Sequence, residues 1–287
     1  MHIVVDSAEP REAEPLVIRR RRWRPTIRYL SQTEVHVYAL SIGASVLLSF
    51  FPFLIVMLTL VRDVLHLPGA ERALTMAIRD YFPGDLGTFI ARNLSKVHHG
   101  RFQIVSFVLL LFTANGIFEP LEVALNRAWG VTRNRSYLMN QLLSLGLIIF
   151  CGGLALGSVL LTAVNQSFVA SQYGIRVLPA WMSLTIFKLG AFPVTIFSLA
   201  LTYWILPNRK VPVRGILPVA VMVGSVLELL KYVFLFTFPW LDRKFQNEYG
   251  PFHYSVSILV FAMITSLVVL AGAEWSARMR DEVTASP

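Results

Sequence analysis

The sequence has a single cysteine, Cys151, and only 15% charged residues in 287 positions. One thiol excludes an intramolecular disulfide and a thiolate metal site, so Cys151 is read as a small apolar packing residue. The chain also lacks a Walker A loop, an HExxH, a GxSxG and any cysteine-rich cluster. Its histidines (2, 36, 66, 98, 99 and 253) are scattered without metal-ligand spacing. His98 and His99 are neighbours, but adjacent helical positions point about 100° apart, and both are read as solvated loop residues. A hydrolase needs a nucleophile with its base, or a metal site. With neither in evidence, the expectation is no catalysis, no cofactor and no metal. Period-2 alternation between turn signals is missing too, which excludes a β-barrel, and no repeat of 20–50 residues occurs. Residues 1–28 lack the apolar core of a signal peptide. Asp6, Glu9, Glu12 and Glu14 argue against a mitochondrial transit peptide, and the first apolar run is expected to serve as an uncleaved anchor.

What is abundant is apolar sequence, at 55% of residues. A bilayer core requires about 20 apolar residues of helix, and six runs approach or exceed that: 35–61, 102–118, 137–164, 180–206, 215–238 and 254–276. The fold class is therefore all-α, a polytopic membrane protein with six transmembrane helices. Residues 1–28 form a basic tail, 29–276 the membrane domain and 277–287 a short polar end. With the N-terminus placed inside, fifteen Lys and Arg fall on the inner side and nine on the outer, while Lys188 and Lys231 lie within spans. The cytoplasmic side carries the Lys/Arg excess, so both termini are expected there. Topology explains most of the net charge of +9. The run Arg19, Arg20, Arg21, Arg22 and Arg24 can also hold anionic phospholipid head groups, at about 1 kcal/mol per charge. No recognition fold accompanies it, so nucleic acid is not an expected partner.

The first outer loop, 62–101, is long. Leu74, Ile78 and Phe82 share one face after Pro68-Gly69. Leu86, Phe89, Ile90, Leu94 and Val97 form a second apolar stripe, with Asp85 as the expected N-cap. Two amphipathic helices lying on the outer surface are expected.

Charged groups inside a bilayer are costly and mark function by default. Glu228 and Lys231 lie at i and i+3 in the fifth span and can pair. Gly224 continues their face and would admit a neighbouring helix. Lys188, in the fourth span, falls at a similar depth, about 12 Å below the outer surface. The three form either a path for an anionic group or a neutralised structural pair beside a snorkelling lysine. Asn115, Glu119, Glu122 and Asn126 recur on one face at the inner end of the second span. They would line a vestibule, or form the solvated face of a helix that has left the membrane. Pro120 is expected to kink or restart that helix. Gly153 and Gly157 make a GxxxG packing motif, Pro52 and Pro193 interrupt spans, and Glu274 is placed to pair with Arg278.

FFPFLIVMLTL at 50–60, ALNRAWGV at 124–131, LPNRKVPVRGILPVA at 206–220, LELLKYVF at 227–234, YGP at 249–251 and GAE at 272–274 occur in that order. This set resembles the YihY/BrkB family of six-span bacterial inner-membrane proteins, once labelled ribonuclease BN, over roughly 29–280. The resemblance implies an integral inner-membrane protein with envelope or lipid-related roles. The chain departs from the family's usual pattern at Glu119-Pro120 and at His253-Tyr254. The expected function is a transporter or lipid translocator using Glu228, Lys231 and Lys188. The alternative is an envelope scaffold that docks a protein partner or a second copy of itself.

Overall fold

A computed structural model describes residues 24–64, 84–95, 100–131, 135–172, 180–209 and 213–284, with isolated positions between 66 and 82 and at 211. The side chains of 158–172, 180–191 and Asn115 are outside this set. Among the described residues every regular element is helical. A short α1, Arg24–Leu30, leads into α2, Thr33–Thr59, which ends in a π-helical turn, Leu60–Val64. The outer helix α3 is Gly84–Ser95. Five long helices follow: α4 Gly100–Ala128, α5 Tyr137–Gln172, α6 Ala180–Ile205, α7 Val213–Tyr249 and α8 His253–Thr284. A single 3-10 turn, Gly250–Phe252, joins the last two.

Four described stretches are long and apolar enough to cross a membrane: Thr33–Asp63, Ile104–Ala128, Leu138–Gly157 and Gly215–Arg278. The last of these runs over both α7 and α8. In α6, Phe192–Ile205 is apolar but shorter. Phe112, Phe236 and Trp240 are 81%, 88% and 67% exposed, and exposed apolar side chains crowd α2, α4, α5 and α7. Surface of this kind marks a lipid-facing exterior, where helices satisfy their own backbone groups.

Consecutive helices pack pairwise from α4 through α8, and α2 lies between α4 and α8. The approach of α2 to α8 is close because residue 43 is glycine. A Cβ there would stand 3.1 Å from the Met263 backbone nitrogen. Pro120 does not restart α4, which runs through it without a break; Pro52, Pro193, Pro218 and Pro239 likewise lie inside continuous helices. A proline kinks a helix without having to end it when neighbouring helices hold both halves. Of the kink or restart expected at Pro120, the restart is thus overturned.

In α3 the stripe Leu86, Ile90 and Leu94 is buried against Leu54, Leu58, Val61 and Ile258. Its apolar face is thus used by the bundle itself. Asp85 lies inside the first turn rather than capping it, since the helix begins at Gly84 with φ +60°. Of the first expected outer helix, Leu74 and Ile78 are described and buried. Val97, His98 and His99 fall outside the described side chains.

Candidate functional site

Two polar regions interrupt the apolar bundle. The first is on α7, where Lys231 Nζ meets Glu228 Oε1 at 2.7 Å. The lysine side chain is 9% exposed and the glutamate 31%. The i,i+3 spacing brings them together on one helical face. Lys231 also lies over the Tyr232 ring, 5.1 Å from its centroid. One and two turns further on, Phe234 and Phe238 enter the outer apolar cluster. Gly224 is where α7 meets α6, its Cβ position standing 3.1 Å from Ile196 Cγ1. The fourth and fifth spans are therefore neighbours, and Lys188 is on α6, though its side chain is outside the described set. Gly153 and Gly157 differ from Gly224: a Cβ at either would meet nothing within 4 Å among the described residues.

The second region gathers at the end of α4. Glu122 and Asn126 are buried, 2% and 1% exposed, whereas Glu119 on the same helix is exposed. Asn126 Nδ2 donates to Glu122 Oε1 at 3.3 Å, and Asn126 Oδ1 accepts the backbone N–H of Asn208 at 2.7 Å. Arg135 closes the arrangement. Its guanidinium donates to the carbonyls of Ile205, Leu206 and Pro207 at 3.1, 2.8 and 3.2 Å. It also stands 4.0 Å from Glu122 Oε1. These carbonyls belong to Ile205, the last residue of α6, and to the two residues that follow it, where a nearby cation is favourable. Arg209 donates to the Trp129 carbonyl at 3.2 Å from the same loop. The stripe expected from Asn115 to Asn126 is thus divided. Its inner two members belong to a latch between the end of α4 and the α6–α7 loop, and Glu119 faces outward.

Further contacts join residues that spacing singled out to others that it did not. Thr26 Oγ1 donates to Glu274 Oε2 at 2.8 Å and accepts from Arg278 Nη2 at 3.0 Å. Arg278 Nε is 3.8 Å from Glu274 Oε1, the pair expected at i,i+4. This clasp sets α1 against the end of α8, so the start and finish of the described chain share one end of the bundle. Burial, helped by nearby Glu274, pushes the Tyr29 hydroxyl in α1 up to about 12. Arg127 and Glu34 pair between α4 and α2. At the opposite end His253 Nδ1 donates to the Gly250 carbonyl at 2.7 Å, and its Nε2 stands 3.6 Å from Asp242 Oδ1. His253 therefore pins the turn between α7 and α8. Of the basic run, only Arg24 is described, exposed at the start of α1.

The model of the family described as "Virulence factor BrkB" matches residues 26–287. A UPF0761 membrane protein of Alcanivorax borkumensis is 27% identical over 86% of this chain and 58% of its own length. A UPF0761 membrane protein of Acinetobacter baylyi is 25% identical over 80% of this chain and 55% of its own. The chain thus spans little more than half the length of these relatives. A Bacillus subtilis relative named as a ribonuclease-like protein, YfkH, is 25% identical over 80% of this chain and 85% of its own. No solved structure matches the chain. Apolar helices fit for a bilayer and a family match over nearly the whole length agree: the chain is an integral membrane protein of the BrkB family.

Proposed function

We propose that this protein is a six-span translocator of the bacterial inner membrane. Both ends of the chain lie in the cytoplasm, and the substrate is an anionic or amphipathic lipid. The observation that carries the reading is Lys231, a cation 9% exposed on a helix otherwise fit to lie in lipid, held by Glu228 at 2.7 Å. Charge at such a position is costly and is expected to serve a path through the bundle. Glu228 is the more exposed partner, placed to give up its lysine to the anionic group of a passing head group. Lys188 on the neighbouring helix would add a second cation, and Arg24 with the basic run before it would recruit anionic lipid at the inner surface. The reading assigns no catalysis and no cofactor, and the name of the ribonuclease-like relative is not carried over.

The test is translocation of a fluorescent phospholipid in proteoliposomes by the wild type and by Glu228→Gln. Accelerated flipping that the variant loses is the expected result. Unchanged flipping by Glu228→Gln would remove α7 from the path, and no flipping by inserted wild type would overturn the reading.

A further inference from the structure

His253 closes the turn between α7 and α8, and its two ring nitrogens meet different neighbours. Nδ1 stands 2.7 Å from the Gly250 carbonyl, which can only accept, so Nδ1 carries a hydrogen. In a neutral imidazole the other nitrogen is then a bare acceptor. That nitrogen, Nε2, lies 3.6 Å from Asp242 Oδ1, a second acceptor. The separation is too long for a hydrogen bond, and Oδ1 is buried without a hydrogen-bond partner among the described residues. Two acceptors thus face one another with no hydrogen between them, and a buried acceptor left unmatched is costly.

The surroundings narrow what can supply the missing donor. Among the described residues no group of three His, Cys, Asp or Glu could hold a metal ion. The side chains of His253 and Asp242 are 11% and 21% exposed, so a proton can reach the pair from water without an opening for any larger ligand. Other charge near the ring is exposed or balanced. On α7, Arg243, Lys244 and Glu248 are exposed, and Lys244 lies over the Trp240 ring, 5.7 Å from its centroid. On α8, the Tyr254 ring lies against the imidazole, with centroids 3.8 Å apart. On α3, Asp85 and Arg92 are opposite in sign and both act electrostatically on Tyr254. The turn itself, Gly250–Phe252, carries no titratable side chain. Asp242 is therefore the carboxylate that a charge on His253 would meet.

We infer that His253 and Asp242 form a proton-operated lock on the α7–α8 turn, open while the imidazole is neutral and closed by one proton at Nε2. A proton taken from water turns Nε2 into a donor and Asp242 Oδ1 into its acceptor. A charge-assisted hydrogen bond then replaces two opposed acceptors. Histidine is the side chain that ordinarily changes charge between about pH 5 and 8, whereas a carboxylate ordinarily stays ionised over that range. The unfolded chain offers the ring no such partner. The contribution of the pair is therefore present at the acid end of this window and is lost as pH rises through it. The lock reaches beyond the turn. Ser257 Oγ donates to the His253 carbonyl at 2.8 Å, and Tyr254 packs on Phe89 of α3 with ring centroids 4.8 Å apart. The first turns of α8 and the helix α3 should stiffen together when the lock closes. With both chain ends in the cytoplasm, as the translocator reading has it, this end faces outward and the lock reads external pH. The pairing itself does not depend on that orientation.

The experiment is hydrogen–deuterium exchange of the full chain in detergent at about pH 6 and about pH 8, corrected for the exchange rate of unstructured peptide. Amides of 242–257 are expected to be about five-fold better protected at the acid pH, and those of 84–95 to follow them. Protection around Gly43, at the α2–α8 contact, should not change with pH. His253→Asn keeps a donor for the Gly250 carbonyl but has no atom at Nε2, so protection should be low at both pH values. Asp242→Asn places an amide donor opposite Nε2 and should give high protection at both. A purely structural turn residue would not respond in this way, since lost packing lowers protection in both variants and leaves the pH dependence in place. Equal wild-type protection at the two pH values, or a pH dependence retained by either variant, overturns the lock. Exchange is read without transport, so the lock would stand in a protein that flips no lipid, while the translocator reading fell.

Discussion

Asn126 Oδ1 accepts the backbone N–H of Asn208 at 2.7 Å, across 82 positions of sequence. The end of α4 thereby replaces a partner that the α6–α7 loop would otherwise find in water. Asn126→Leu should lower stability by about 1–3 kcal/mol, because it removes the acceptor of the Asn208 N–H and the donor to Glu122 Oε1 together. Asn208→Ala keeps the same N–H and should cost much less. Thermal unfolding in detergent distinguishes the two, and equal losses would show that the side chain of Asn208 matters instead.

Removing one member of the Glu228–Lys231 pair should hurt more than removing both. Glu228→Gln removes the countercharge of Lys231, the more deeply buried partner, at a cost below the roughly 3–5 kcal/mol of a fully buried pair. Glu228→Gln with Lys231→Met should recover a large part of that loss. A double-mutant cycle on unfolding free energy reads the coupling directly, and additive losses would mean the two side chains act independently.

Tyr29 supplies a pH signature. Its folded pKa, raised to about 12 from 10, keeps it neutral where the unfolded chain has begun to ionise. The contribution is fully present below pH 10 and is lost as pH rises from 10 towards 12. Tyr29→Phe should flatten the decline of stability across that window. A variant with the same slope as wild type would show that Tyr29 does not govern it.

Gly43 should tolerate no side chain. A Cβ 3.1 Å from the Met263 backbone nitrogen forces α2 and α8 apart, and overpacking of this kind costs about 1–3 kcal/mol. Gly43→Ala should therefore lower the unfolding temperature, while Gly153→Ala, whose Cβ would meet nothing within 4 Å among the described residues, should leave it unchanged or raise it slightly.

The helical framework was legible because apolar run length is a local property: α2, α5, α6, α7 and α8 begin within two residues of their expected starts. The second apolar run, 102–118, is shorter than the helix that contains it. Its polar continuation at Glu122 and Asn126 lowers hydropathy, yet α4 continues to Ala128 because those side chains are buried by distant loops. The Glu228–Lys231 contact was readable from i,i+3 spacing, and the Glu274–Arg278 contact from i,i+4. Arg135 and Asn208 were not, since their partners lie 70 or more positions away. His253 stood out as a departure from a family pattern, and its contact with Gly250 gives that residue a local structural task.

The clasp at Thr26 has a consequence for biogenesis. Its two partners, Glu274 and Arg278, are 248 and 252 positions downstream, so α1 can dock only after α8 has been synthesised. Until then the first helix has no seat at the bundle's end. Closure of this contact couples the seating of α1 to the arrival of α8 at the same end of the bundle.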